Sequence, residues 1–316
     1  MRRSLVRSRI LRSVVEQVGK TPLLRLDRIG KSAPSVEIYA KLEFANPGGS
    51  VKDRPALAMM LDAIEKGELA DDKTLVDSTS GNTGVAYALF GAALGYAVEL
   101  VMPSNVTKAR KDIVEAFGAQ IVYSDPMEGS DGAIRLVQRM VDEAPERYFY
   151  PNQYGNPENP GAHYRGTGRE ILDALGDRIT HFVTGLGTTG TMMGTSRRLK
   201  EHTRKIHCVA VQPADALHGL EGLKHLPSSI VPAIYDDAVP DETMWINTED
   251  GWNMAEELAA LEGLHVGHSS GANVFAARKI AEKLHREQGG GCVVTIVADR
   301  GDRYFAPTKW EKRYTW

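Results

Sequence analysis

A lysine behind a glycine-rich turn is the first place to look for chemistry in this chain. In Asn46-Pro47-Gly48-Gly49-Ser50-Val51-Lys52-Asp53-Arg54-Pro55, a Pro-Gly-Gly turn runs into a segment where Leu57, Met60, Leu61 and Ile64 recur at helical spacing. Ser50 is suited to cap that helix, which puts Lys52 in the first turn at the positive end of the dipole. A cation is disfavoured there, and burial would lower its amine pKa further. Such a lysine is set up to act as a nucleophile or to form a Schiff base. A solvated surface lysine is the plainer alternative, and this stretch alone favours it.

Three more strand-to-helix junctions are rich in small residues, and each would expose backbone N–H groups at a positive helix end. Ser78-Thr79-Ser80-Gly81-Asn82-Thr83-Gly84 crowds five hydroxyl or amide side chains at one helix start, which reads either as a carboxylate pocket or as an over-endowed cap. Gly185-Leu186-Gly187-Thr188-Thr189-Gly190-Thr191 reads as a phosphate cradle. It also fits G-x-G-x-x-G, but the next strand ends at Gln212-Pro213 without the ribose-binding acid a dinucleotide site requires. One phosphate fits it better. Gly267-His268-Ser269-Ser270-Gly271 offers either a cap or one neutral hydroxyl to a ligand heteroatom.

The elements around these junctions alternate. Strands are predicted at 23–26, 36–42, 74–77, 97–102, 120–123, 179–184, 206–211 and 292–297. Helices are predicted at 13–18, behind Lys52, from Val85 through Leu94, and at 107–118, 130–144, 190–202, 250–262 and 272–288. Strand and helix in turn mark an α/β fold with parallel sheets. Residues 150–168, rich in Pro, Gly and Asn, read as a hinge or active-site loop between two α/β units, and 213–232 read as loop.

Composition excludes several function classes. The hydrophobic share of 42% and charged share of 25% suit a globular protein, and a net charge of −3 points to neither nucleic acid nor an anionic membrane. No apolar run reaches the roughly 18 residues of a membrane helix. Cys208 and Cys292 read as buried free thiols in a reducing, cytoplasmic setting, without metal-site spacing. The N-terminus carries Arg2, Arg3, Arg7, Arg9 and Arg12, which reads as a basic arm packing on the fold or on a partner subunit.

Taken together, the Lys52 stretch, Ser80–Gly84, Gly187–Thr191 and Ser269-Ser270-Gly271, in this order, resemble the pyridoxal-phosphate (PLP) enzymes of the tryptophan-synthase-β fold type, and within them the cysteine synthases. Gly19-Lys20-Thr21-Pro22-Leu23, Lys41-Leu42-Glu43, Gln153-Tyr154-Gly155-Asn156-Pro157, His163-Tyr164 and Asp302-Arg303-Tyr304 add to the likeness, which runs from about Val15 to about Tyr304. The resemblance implies two open, twisted, mostly parallel sheets with flanking helices and PLP in the cleft between two domains. Residues 1–42 with 151–316 would form the large one, and 43–150 a smaller mobile one. It implies that Lys52 is the internal-aldimine lysine and the base for the α-proton. Asn82 would hold the cofactor's phenolic oxygen, and Gly187, Thr188, Thr189, Gly190 and Thr191 its phosphate. Ser269 would face the pyridine nitrogen. Thr79, Ser80, Gly81, Thr83 and Gln153 would grip the α-carboxylate of an amino-acid substrate. The activity implied is β-replacement: an activated serine loses its leaving group to give a bound aminoacrylate, and a sulfur nucleophile attacks it to make L-cysteine. A homodimer is implied, with the Arg-rich arm or Trp310, Tyr314 and Trp316 as candidate contacts.

Some positions depart from the family. His268 replaces an aliphatic residue and reads as a buried neutral histidine or, less favoured, a proton donor. Gln212 replaces an acid and Arg169 a proline, the former read as structural. The run Gly222-Leu223-Lys224-His225-Leu226-Pro227-Ser228-Ser229-Ile230-Val231-Pro232, with Glu128-Gly129-Ser130-Asp131, resembles the subgroup that uses O-phosphoserine and a thiocarboxylated sulfur-carrier protein. There a cation such as Lys224 would meet the leaving phosphate; a solvated lysine is the alternative. Cystathionine β-synthase and a same-fold deaminase are sibling readings. An NAD-dependent dehydrogenase is disfavoured by Gln212 and by an idle Lys52.

Overall fold

The structure, a computed structural model, describes residues 11–79 and 81–304. The expectations for Arg2, Arg3, Arg7, Arg9, Ser80, Trp310, Tyr314 and Trp316 fall outside them. One sheet is built from β3 (Thr74–Ser78), β4 (Ala97–Pro103), β5 (Gln120–Ser124) and β6 (Tyr148–Phe149), in the order β5-β4-β3-β6 and parallel throughout. The other is built from β1 (Leu23–Arg25), β2 (Val36–Leu42), β7 (His181–Gly185), β8 (His207–Pro213), β9 (Glu242–Ile246) and β10 (Gly291–Val297). Its order is β1-β2-β10-β7-β8-β9, parallel except for β1 against β2.

The central strands are apolar on both faces because helices cover both sides, as parallel sheets require. From Cys292 to Val297 every residue of β10 is buried, and Leu75 and Val76 of β3 are fully so. The helices are α1 (Asp53–Glu65), α2 (Asn82–Leu94), α3 (Lys108–Ala116), α4 (Gly129–Glu143), α5 (Glu158–Ala162), α6 (Arg169–Leu175), α7 (Gly190–His202), α8 (Thr248–Glu257) and α9 (His268–Glu287). Met59, Met60 and Ala63 of α1 share a core with Phe90 of α2 and with Leu75, Leu100 and Met102 of the four-stranded sheet. Ala277, Ala281 and Leu284 of α9 share another with Ile38, Val183 and Val293.

Several expectations need correction. The stretch 150–168 is not a plain loop: it holds α5 and a π-turn at His163–Gly168 that runs on into α6. Pro157 caps α5 and Pro160 lies in its first turn, where a missing N–H costs nothing. α8 continues into a π-turn at Leu258–Glu262, and α9 begins at His268, so both serines lie in its first turn. The edge strand β9 was not expected at all. α1 begins at Asp53, with Lys52 in the cap position rather than the first turn. Ser50 does not cap the helix; its Oγ accepts the Lys52 N–H at 3.2 Å, one step earlier.

Candidate active site

In open α/β sheets, ligands gather beyond the carboxyl ends of the parallel strands. Here the loops after β3, β7 and β10 and the segment after β2 open onto one cleft of about 1060 Å³. Lys52, Thr79, Gly81, Asn82, Thr83, Gln153, Gly187, Thr188, Thr189, Thr191, Lys224 and Ser269 all line it. Apart from Ser80, which is outside the described residues, and Gly190, which starts α7 directly behind the loop, the cleft collects every residue assigned above to cofactor or substrate.

The Lys52 loop is held by main-chain contacts. Val51 N–H donates to the Ala298 carbonyl at 2.7 Å, and Ser50 bridges Asp299 in antiparallel fashion. Lys52 is thereby set beside a carboxylate that no sequence spacing announces. Loss of hydration lowers the Lys52 amine pKa, and the Asp299 charge opposes that fall. Asp299 is itself buried, which raises its pKa. One of its oxygens accepts from Asn82 Nδ2 at 2.6 Å and from the Tyr304 hydroxyl, while the other, Oδ1, is buried without a partner. Arg303 donates to Asn82 Oδ1 and to the Gly48 carbonyl.

The Gly187 loop is shaped for a compact anion. A Cβ on Gly187 would sit 2.3 Å from the Gly222 carbonyl oxygen and 4.0 Å from Lys52 Nζ, so only glycine fits and the amine adjoins the cradle. Thr189 sits at φ 71°, a left-handed conformation that costs a threonine energy and is tolerated where function demands it. Its hydroxyl is buried without a partner. Behind the loop, Asn159 Nδ2 reaches Thr188 Oγ1 at 3.1 Å and the Gln153 carbonyl at 2.7 Å. His163 Nε2 lies 3.3 Å from Thr191 Oγ1, and burial pushes this histidine's pKa down to about 3, so it stays neutral.

The serine pair divides its labour. Ser270 Oγ accepts the Ala298 N–H at 2.9 Å and is structural, whereas Ser269 lines the cleft. His268 is half-buried between the Trp252 and Tyr304 rings, at centroid distances of 4.9 and 5.6 Å, and burial lowers its pKa. Gln212 takes the structural part expected of it, accepting the Leu226 N–H at 2.9 Å.

These residues fit the cofactor that the resemblance implies. A phosphate would find an orphaned threonine hydroxyl and the start of α7, and a nearby aldehyde would find a lysine amine beside the same loop. Gln153 and Thr83, joined by a hydrogen bond of 3.0 Å, line the same cleft.

Comparison with known proteins agrees with the geometry. The family model of pyridoxal-phosphate-dependent enzymes matches residues 14–299. A cysteine synthase of Aquifex aeolicus is 49% identical over 294 residues, covering 92% of this chain and 90% of that protein. The crystal structure of a cysteine synthase from Entamoeba histolytica superposes with a TM-score of 0.91 at 35% identity, covering 100% of this chain and 95% of that one. That of an O-acetylserine-dependent cystathionine β-synthase from Helicobacter pylori does so with a TM-score of 0.86 at 33% identity, covering 94% and 98%. With a lysine at the mouth of a phosphate cradle and a family match over nearly its whole length, this chain belongs to the pyridoxal-phosphate-dependent enzymes.

Proposed function

We propose that this enzyme makes L-cysteine by replacing the β-substituent of an activated serine with sulfur. The observation that carries the reading is the Lys52 amine beside the Gly187 cradle, facing a carboxylate-binding wall of Thr79, Gly81, Thr83 and Gln153 in the same cleft. PLP, when bound, supplies the electron sink that lets the Cα–H bond and then the bond to the leaving group break. Lys52 holds the cofactor and, when its amine is released, takes the α-proton at Nζ. Burial lowers the pKa of that amine, which favours its neutral, proton-accepting form. Gly187, Thr188, Thr189, Gly190 and Thr191 hold the phosphate. Asn82, fixed in place by Asp299 and Arg303, would hold the cofactor's phenolic oxygen. Ser269 would face the ring nitrogen with a neutral hydroxyl, which would stabilise a protonated ring less than a carboxylate does and so favour elimination.

The unit spanning 43–150 closes over the substrate carboxylate and excludes water from the reacting carbons. In support, α1, which follows the Lys52 loop, packs in the same core as β3. Lys224, at the cleft wall, makes O-phosphoserine at least as good a substrate as O-acetylserine. A sulfur-carrier protein with a C-terminal thiocarboxylate is the proposed partner for that route, and the enzyme works as a cytoplasmic homodimer. Among the described residues no helix is long and apolar enough to cross a membrane.

The test is a donor-by-acceptor matrix: serine, O-acetylserine and O-phosphoserine against sulfide, thiosulfate, homocysteine and a thiocarboxylated carrier, with products identified by mass. Cysteine from an activated serine is expected. Cystathionine as the dominant product would replace this reading with its sibling.

A further inference from the structure

Behind the carboxylate wall lies a buried acid that the reaction as described does not use. Asp77, on β3, is fully buried. Its Oδ1 accepts the N–H of Ser78 at 2.7 Å, and its Oδ2 accepts from Gln153 Nε2 at 3.1 Å. Gln153 in turn accepts the Thr83 hydroxyl on Oε1 at 3.0 Å. The Tyr87 hydroxyl, also buried, lies close enough to Asp77 to favour its ionised form, without a hydrogen bond of regular geometry.

A primary amide presents two donors on nitrogen and an acceptor oxygen, and the two ends have nearly the same shape. Packing therefore does not decide which end of Gln153 faces which neighbour. Thr83 does not decide it either, because a hydroxyl can donate or accept. A carboxylate only accepts, so Asp77 forces the nitrogen of Gln153 toward itself. We propose that Asp77 is a positioning residue for substrate recognition: it fixes the Gln153 amide so that the second Nε2–H faces the cleft as a donor for the substrate's α-carboxylate. This rests on the cysteine-synthase reading and adds to it the device by which a carboxylate is told from a neutral group.

The sign of the test follows from the Ser78 N–H, which can only donate. In Asp77→Asn the introduced asparagine must turn its oxygen to that N–H and its nitrogen to Gln153. The Gln153 amide then reverses, with its nitrogen to the Thr83 oxygen and a lone pair to the cleft. A carboxylate meets repulsion there, whereas a carboxamide meets an acceptor. The substitution keeps the shape of the side chain. Burial pushes the Asp77 carboxyl up to about 7, so the comparison is made at a pH well above that value, where Asp77 is ionised and only accepts.

The experiment measures dissociation constants of L-serine and L-serinamide for the PLP-loaded enzyme by calorimetry. Wild type is expected to prefer L-serine. Asp77→Asn should weaken L-serine about ten- to hundredfold, the range of a hydrogen bond to a charged group, and bind L-serinamide as tightly as wild type or tighter. Asp77→Glu keeps an acceptor-only group and should keep the preference for L-serine. In a Gln153→Ala background, Asp77→Asn should change neither ligand further. Equal weakening of both ligands by Asp77→Asn, or an undiminished effect without Gln153, would overturn the proposal. A wild-type holoenzyme that binds neither ligand would instead sink the functional reading beneath it.

Discussion

Asn82 donates its side-chain amide to Asp299 at 2.6 Å across the cleft, tying the start of α2 to the segment just beyond β10. The bond links the helix that follows β3 to the segment that follows β10, and Asp299 also acts on the charge of Lys52. One buried carboxylate thus orients the side chain assigned to the cofactor's phenolic oxygen and holds back the fall in the lysine's pKa.

Removing that charge while keeping the shape separates the two roles. In Asp299→Asn the Lys52 amine loses the carboxylate that favours its protonated form, so its pKa falls further and the neutral amine persists to lower pH. PLP capture by the cofactor-free protein requires the neutral amine. The pH profile of its rate, followed by visible absorbance, should move toward acid relative to wild type. A shift toward alkali would contradict the placement of Asp299 beside Lys52.

Lys52→Ala tests the covalent assignment. Wild type loaded with PLP and reduced with borohydride should carry the label on the peptide containing residue 52, and the variant should carry none. The variant should still retain PLP weakly, since the Gly187 loop is untouched, and cysteine formation should fall by at least about a thousandfold with the base at Nζ gone. Label at another lysine would refute the assignment.

The alternation of strands and helices was legible because parallel sheets write themselves as buried apolar runs, and α7 matches its predicted bounds of 190–202. The glycine turn before Lys52 and the Gly187 loop were legible for a different reason, since close backbone approach and left-handed backbone leave a compositional trace. Asp299 was not. It lies in an irregular segment after β10, and only the pairing of that segment with Ser50 brings it near the lysine. β9 was missed because it is an edge strand in which Ile246 alone is buried and Trp245 is exposed, so no buried apolar run marks it. In 150–168 the prolines, glycines and asparagines that suggest a loop conceal two helical turns. Ser269 and Ser270 could not be told apart locally, because their roles depend on Ala298, distant in sequence.

Beneath the Lys52 loop, Arg54 bonds Glu43 at 2.6 Å and Glu170 at 2.8 Å, and Lys41 meets Glu170 at 2.7 Å. Glu43 is fully buried, so Arg54→Ala strands a carboxylate and should cost about 3–5 kcal/mol in urea unfolding. A loss below about 1 kcal/mol would mean that the network is solvated.

The same network predicts an acid limit. Arg54 and Lys41 hold the Glu170 carboxyl down at about 2, although burial opposes them. A folded pKa below the unfolded one means that the unfolded chain binds more protons in between, so this stability is present above about 4.5 and lost as pH falls toward 2. The stability gap between wild type and Glu170→Gln should therefore narrow across that window. A gap that stays constant from pH 6 to pH 3 would show that the charge contributes nothing.

Lys224 bears on substrate choice. Its backbone N–H donates to the Leu186 carbonyl at 2.7 Å, which fixes the residue beside the phosphate cradle, and its amine stands 4.9 Å from the Tyr154 ring centre. The other cations at the cleft wall include Arg110, ion-paired to Glu221, and Arg300, paired to Asp302. A dianionic leaving group draws more from a point charge than an acetyl group does, by about 1.5–3 kcal/mol where water is excluded. Lys224→Ala should therefore lower kcat/KM for O-phosphoserine about ten- to hundredfold while changing that for O-acetylserine less than about threefold. Because Tyr154 follows Gln153 in sequence, a packing role for Lys224 would instead disturb the carboxylate wall and lower both substrates alike; parallel losses would remove Lys224 from the specificity of the enzyme.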